Sequence, residues 1–368
     1  MEKVKLVDWD QALEEQVHEF GGWVNAHTHL DRANTNKSQY WKHVDIDLEE
    51  ASELSLSVKQ DLVGDLHKGS AYQAEDLYQR MKFELNRMIS MNVKQVISFI
   101  DASPDIDLVA IEEAMKLKGE FQEKIDLQIA VSPIFGFKKP IDNTDRWEIY
   151  QEAAKKVDIL GGLPSRDREE GRIGADEHMR RIIILGQELH KPVHFQIDQK
   201  NIPGENETET LVNIVHRLGS PKVEGKSGPT IWAVHVISPS CYEEERFEKL
   251  IEGLSEENIG VICCPTAALS MLQLRSFVSP IHNSIARILE MVKAGISVQI
   301  GTDNINDIFI PNGDGSVRSE IWIAATVYRF YRKVIWAKIG AGIPFNNVNR
   351  EYIARALYQT KKTARNKS

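Results

Sequence analysis

The residues best suited to chemistry fall in four short segments: Ala26-His27-Thr28-His29-Leu30-Asp31, His194, His235, and Gly301-Thr302-Asp303-Asn304. Each closes a short apolar run of the kind that forms a strand. Side chains on an extended chain alternate with period two, so His27 and His29 point to one side. Two further imidazoles and a carboxylate, each ending its own strand, complete a pocket of nitrogen and oxygen donors. Such a set suits Zn²⁺ or Fe²⁺. A lone His-x-His pair says little; the ordered set is far more specific.

These segments need elements to hold them. Apolar, β-branched runs at 22–27, 93–100, 125–131, 157–160, 192–196, 230–235, 259–264 and 296–301 read as strands. Helical patterns at 75–91, 107–122, 146–156, 176–190, 207–218, 243–253, 283–293 and 318–336 alternate with them. Strands alternating with helices imply a parallel sheet, and eight such units imply an α/β chain closed into a (β/α)8 TIM barrel. A doubly wound open sheet is the runner-up. Barrel active sites lie at the C-terminal ends of the strands. His27, His194, His235 and Asp303 fall at those ends of the first, fifth, sixth and eighth strands.

Residues 35–70 form a long, charged stretch between the first strand and its helix. It reads as a lid or binding loop, or as a surface insertion with a short helix near 47–56. No repeat or low-complexity linker divides the chain, so 1–368 is expected to form one domain.

Composition excludes several functions. The 368 residues are 42% apolar and 27% charged, ordinary for a globular protein. A net charge of −9 implies no basic face for nucleic acid or an anionic membrane. Three cysteines, Cys241, Cys263 and Cys264, make no disulfide framework. No run approaches the roughly 20 apolar residues of a membrane span, and residues 1–8 have no apolar core like a signal peptide. The expected partner is a small-molecule substrate, the expected compartment a reducing cytoplasm, and homo-oligomerisation is left open.

At these motifs the chain resembles the amidohydrolase superfamily, and within it the cytosine deaminases and the N-isopropylammelide isopropylaminohydrolases. Beyond Ala26 to Arg32, the stretches Ser98-Phe99-Ile100-Asp101, Asp158-Ile159-Leu160-Gly161-Gly162-Leu163 and Thr302-Asp303-Asn304-Ile305-Asn306-Asp307 are similar, in order, from about residue 22 to about 330. The resemblance implies a single-metal site, with Zn²⁺ first and Fe²⁺ as the alternative, in which His27, His29, His194 and Asp303 are ligands and His235 stands beside the water. It implies a metal-dependent hydrolase of C–N bonds, deaminating or removing an amine from a nitrogen heterocycle. Hydrolysis of a cyclic amide, or metal binding without turnover, are the alternatives.

Three features depart from that pattern. The family's glutamate after the fifth-strand histidine is missing from His194-Phe195-Gln196-Ile197-Asp198, and the amide of Gln196 cannot transfer a proton at neutral pH. Pro133 is followed by Ile134 where cytosine deaminases use a glutamine. Only 26 residues precede His27 and 65 follow Asp303, so the family's flanking β-sandwich is expected to be reduced or absent. Catalytic duty is therefore expected of His235, Asp303 and Gln196; Asp198 reads first as a solvated loop residue, with substitute acid as the alternative. Asn304, Asp307, Asp101 and Arg166, on strand-end loops, are the expected substrate contacts, and Arg32 either joins them or braces Asp31.

Overall fold

The structure, a computed structural model, describes residues 8–139, 145–272 and 283–365. Eight strands form one parallel sheet in sequence order: β1 Trp23–Thr28, β2 Val93–Asp101, β3 Asp126–Ser132, β4 Ile159–Gly162, β5 Val193–Ile197, β6 Ile231–His235, β7 Gly260–Cys263 and β8 Val298–Ile300. The curl closes between β8 and β1 through a bridge joining Thr28 and Asp303. Asp303 N donates to His27 O at 2.9 Å, and Thr28 Oγ1 donates to Asp303 O at 2.8 Å. The result is a (β/α)8 barrel, and no second sheet occurs among the described residues.

Fourteen helices accompany the sheet, numbered along the chain as α1 Trp9–Glu19, α2 Leu48–Ser52, α3 Leu56–Lys68, α4 Ala74–Ser90, α5 Val109–Phe121, α6 Asp145–Lys156, α7 Ala175–Leu189, α8 Glu207–Leu218, α9 Glu244–Glu256, α10 Pro265–Leu269, α11 Ile288–Lys293, α12 Val317–Tyr328, α13 Lys333–Gly340 and α14 Asn347–Arg365. Their apolar stripes face the sheet; in α7, for example, Met179, Ile182, Ile183 and Gly186 are buried at helical spacing. This layer between strands and helices is the main core. The lumen holds two smaller clusters, one around Ala26, Trp232, Val234 and Ile262 and one of Ile97, Phe99, Ala130 and Ile159.

Sequence periodicity placed the eight units but not every boundary. β4 begins two residues later than expected, because Val157 and Asp158 end the preceding turn. The last helix is split: Arg329 takes a left-handed φ of 53° and caps α12, so 318–336 is not one rod. The insertion after β1 contains α2 and α3, and Lys59 of α3 ties it to the loop after β8. Lys59 Nζ donates to Ser52 O at 2.7 Å and to Phe309 O at 3.4 Å.

Candidate metal centre and active-site pocket

The seam between β1 and β8 builds the centre. Gly301 sits so close to β1 that a Cβ there would lie 2.6 Å from His27 Cβ and 2.7 Å from His27 O. With no side chain at that point, the backbone turns directly into Thr302, whose N–H donates to Asn25 Oδ1 at 3.1 Å. Asp303 follows with a φ of 58°, and His235 at the end of β6 has a φ of 78°. Non-glycine residues rarely adopt such values, and where they cluster the surrounding fold is holding side chains for a task.

His27 Nε2 and His29 Nε2 each lie 3.3 Å from Asp303 Oδ1. Donor atoms of His27, His235 and Asp303 lie within 4.8 Å of one another. The His27 ring stands edge-on to those of His29 and His235, with centroids 5.0 and 5.4 Å away. All four residues are nearly inaccessible. Both ring nitrogens of His27 and His235, Nδ1 of His29 and Oδ1 of Asp303 are buried with no hydrogen-bond partner. Burial pushes His29 down to about 3, helped by Arg32, and pushes His235 down to about 4. Both imidazoles are thus neutral donors at neutral pH. Burial alone would raise Asp303, but the His27 and His29 contacts hold it well below the usual carboxylate range. Neutral nitrogens and one carboxylate oxygen converging with unfilled valences are what a divalent cation requires.

His29, His235 and Asp303 line a pocket together with Arg32, Gln196, Gln199 and Asn304. Leu54, Leu56, Lys59 and Gln60 of the insertion form one wall, and Ile134, Leu163, Phe309 and Ile310 form apolar sides. The insertion between β1 and α4 is therefore part of this pocket.

His194 is not part of it. The expectation of His194 as a ligand does not fit the geometry, because it is the second residue of β5, paired with Trp232 of β6, whereas Ile197 is paired with His235. His194 faces the lumen one layer below the centre. The Phe99 ring packs near both levels, 4.6 Å from the ring of His27 and 6.4 Å from that of His194. The β5 side chain that reaches the pocket is Gln196. Gln199 joins it because the chain turns at Asp198, which has a φ of 53°. Sequence reading passed over Gln199; its spacing of three from Gln196 past a strand end was the available signal.

Other expected contacts separate similarly. Asn304 lines the pocket and donates Nδ2 to Asp307 Oδ2 at 2.5 Å. Asp307 lies behind it, accepting from the backbone of Phe309 and Ile310. Asp101 is fully buried behind Arg32. Arg166 points away from the pocket and pairs with Asp61 of α3 at 2.5 Å. Asp198 accepts from Glu207 N at 2.8 Å and Thr208 N at 3.0 Å, capping the start of α8. Both its oxygens are spent there, so it does not serve as the substitute acid.

The 5-methylcytosine deaminase from Klebsiella pneumoniae, solved with 5-fluorocytosine, superposes with a TM-score of 0.71 at 22% identity over 84% of this chain and 69% of that one. The N-isopropylammelide isopropylaminohydrolase from Burkholderia multivorans gives 0.60 at 15% identity, over 87% and 74%. This chain shares the (β/α)8 fold of these two enzymes. In sequence the chain is similar to an uncharacterized protein of Haemophilus influenzae, 29% identical over 280 residues, which are 76% of this chain and 94% of that protein. It is also similar to an N-isopropylammelide isopropyl amidohydrolase of a Pseudomonas species, 19% identical over 304 residues. That alignment covers 80% of this chain but 65% of the relative. No family model matches the chain. No helix among the described residues is long and apolar enough to cross a membrane.

Proposed function

We propose that this chain is a metal-dependent hydrolase of C–N bonds, an aminohydrolase or deaminase acting on a nitrogen heterocycle. The observation that carries this reading is the convergence of orphaned donor atoms from His27, His29, His235 and Asp303 at the floor of a pocket at the carboxyl end of the barrel. These four residues would hold one divalent ion, Zn²⁺ being the expected one, with His235 a ligand in place of His194. A bound ion of this kind lowers the pKa of water from about 15.7 toward 7 and so makes a nucleophile available at neutral pH.

The chain's own groups do the rest. Among the described residues lining the pocket, Asp303 is the only carboxylate, so its second oxygen, Oδ2, is the base that takes the proton of the attacking water and returns it to the leaving nitrogen. The Asn304, Gln196 and Gln199 amides offer donors and acceptors matched to a heterocycle's ring nitrogens and carbonyls. The apolar sides around Ile134, Leu163 and Phe309 keep bulk water out and sharpen each polar contact.

One observation favours a second reading, a metal-binding barrel without turnover: β5 and the turn after it bring two glutamines to the pocket and no acid. A single experiment separates the two. Plasma emission analysis of the purified protein is followed by a panel of amino-substituted pyrimidines and triazines, with ammonia and amine detection. One ion per chain with release of ammonia or amine supports the hydrolase. One ion per chain with no release across the panel supports the binding barrel, and ring opening without release points to a cyclic amide hydrolase. Absence of any tightly held ion overturns the metal assignment.

A further inference from the structure

Arg32 follows the metal-centre histidines by three residues, yet none of its nitrogens serves that centre. Its side chain is 3% exposed and lines the same pocket as His235, Asp303 and Asn304. One edge of the guanidinium is anchored: Nη1 donates to Asp101 Oδ2 at 3.1 Å and to Oδ1 at 3.4 Å. The guanidinium also sits 5.4 Å over the Phe309 ring. The other donors are idle. Nε is buried with no partner, and Nη2 has none among the described residues.

The anchor is itself braced. Tyr72 OH donates to Asp31 at 3.0 Å and to Asp101 at 3.2 Å, while Asp101 N–H donates to Asp31 Oδ2 at 2.9 Å. His67 lies between Asp105, at 2.8 Å, and Asp101, at 3.4 Å. Burial works against charge at both members of the pair, but Arg32 and His67 hold Asp101 ionised, and Asp101 and Asp31 hold Arg32 charged. The guanidinium is therefore permanently cationic and fixed in orientation, with two nitrogens uncommitted. The other cation lining the pocket, Lys59, already donates to two backbone carbonyls. A buried arginine with a free edge matches a planar pair of anionic oxygens, or one oxyanion with its neighbouring acceptor, better than any neutral group.

We propose that the substrate of this pocket is anionic at neutral pH and that Arg32 holds its anionic oxygens. This inference rests on the hydrolase reading for its reaction but not for its recognition. Arg32 is the specificity-determining contact, and Asp101 positions it. Two sources give the same chemistry: a ring carboxylate, or the deprotonated oxygen of an acidic oxo-heterocycle.

Calorimetric titration of the full zinc-loaded chain tests the proposal with orotate for the first source, barbiturate for the second and uracil as the neutral comparison. At least one anion binds about tenfold or more tighter than uracil, a difference of about 1.4 kcal/mol. In Arg32→Gln the preference disappears while zinc content is unchanged, and Arg32→Lys retains part of it. Should Arg32→Gln leave Asp101 unpaired and fail to fold, the double variant Arg32→Gln/Asp101→Asn removes both buried charges together and loses the preference likewise. Uracil binding as tightly as both anions, no detectable binding of either anion, or a preference that survives the loss of Arg32 overturns the proposal. Anion binding without hydrolysis leaves it standing and sinks the hydrolase reading alone.

Discussion

The two ends of the barrel lumen both present a buried imidazole, and they are built for different things. At the carboxyl end, three histidines and Asp303 turn unpaired atoms toward a common point. At the amino end, His194 lines a cavity of about 260 Å³ with Trp232, the amides of Gln95, Gln128 and Gln299, and Lys226. Among the described residues lining that cavity there is no carboxylate and no second histidine to share His194 Nδ1, which is buried without a hydrogen-bond partner. Burial, with Lys226 adding to it, holds His194 well below the usual imidazole range. The lesson is that strand periodicity fixes a face but not a depth. His194 and Gln196 share the lumen face of β5, and an offset of two residues, about 6–7 Å along a strand, puts them in different layers.

Replacing the centre's residues breaks the comparison most severely. Asp303→Asn is expected to abolish turnover, combining loss of a ligand with loss of a general base worth about 10²–10⁴-fold. His235→Ala should lose the ion as well. His194→Ala should keep one ion per chain, although it opens a void in the lumen. Plasma emission analysis with a thermal melt decides the matter: an apo but folded His194→Ala beside a metal-loaded His235→Ala would return the ligand role to β5 and reverse the layer assignment.

The seam offers a second way to break it. Gly301→Ala places a methyl against His27 Cβ and backbone, which cannot give without parting β8 from β1. Overpacking of this kind costs typically about 1–3 kcal/mol. Asp303, bridged to Thr28 two residues further on, should move with it. The same substitution far from the seam, Gly119→Ala in α5, meets nothing within 4 Å and should be neutral or stabilising. Urea melts of the two variants check this, and metal content should fall only in the first.

A gentler change sharpens the contrast. Gln196→His moves an imidazole to the layer of the pocket, where it would join three others. Metal affinity measured by competition with a chromogenic chelator should tighten by about tenfold, or about 1.4 kcal/mol. No change in affinity would mean that the β5 side chain in this layer lies beyond reach of the ion.

The same distinction between face and depth explains what was legible in the sequence. The barrel was, because each strand is a short β-branched run and each crossover is long enough for a helix. That His27, His29, His235 and Asp303 come together was legible because each lies beside or just past the carboxyl end of its strand, where depth is fixed by the end itself. His194 was misplaced because β5 continues three residues beyond it, and only pairing with β6, Gln196 to Val234 and Ile197 to His235, sets the layer. Arg166 and Asp101 were misplaced for another reason. Both lie near strand ends, but buried charges turn toward partners, Asp61 for one and Arg32 for the other. Such pairings join residues 105 and 69 positions apart, beyond any local pattern.

The smallest expected effect uses proton linkage to compare the two ends. In the folded chain His29 and His235 are pushed down to about 3 and 4, and His194 is lowered too, so all three stay neutral well below pH 6.5. In the unfolded chain they take up protons near 6.5. Below that pH the unfolded state binds more protons, so stability falls as pH falls and is fully present only above about 6.5. Each histidine contributes a slope of at most about 1.4 kcal/mol per pH unit in this window. His194→Gln removes one such contribution from the amino end while leaving the carboxyl-end centre intact. Urea unfolding of the chelator-treated protein at a series of pH values between about 6.5 and 5 should therefore show a shallower decline in the variant, by up to that amount. An unchanged slope would mean that His194 takes up its proton in the folded state. The amino-end cavity would then accommodate a cation as water does, and the two imidazole environments would be less alike in burial than their shared lumen face implies.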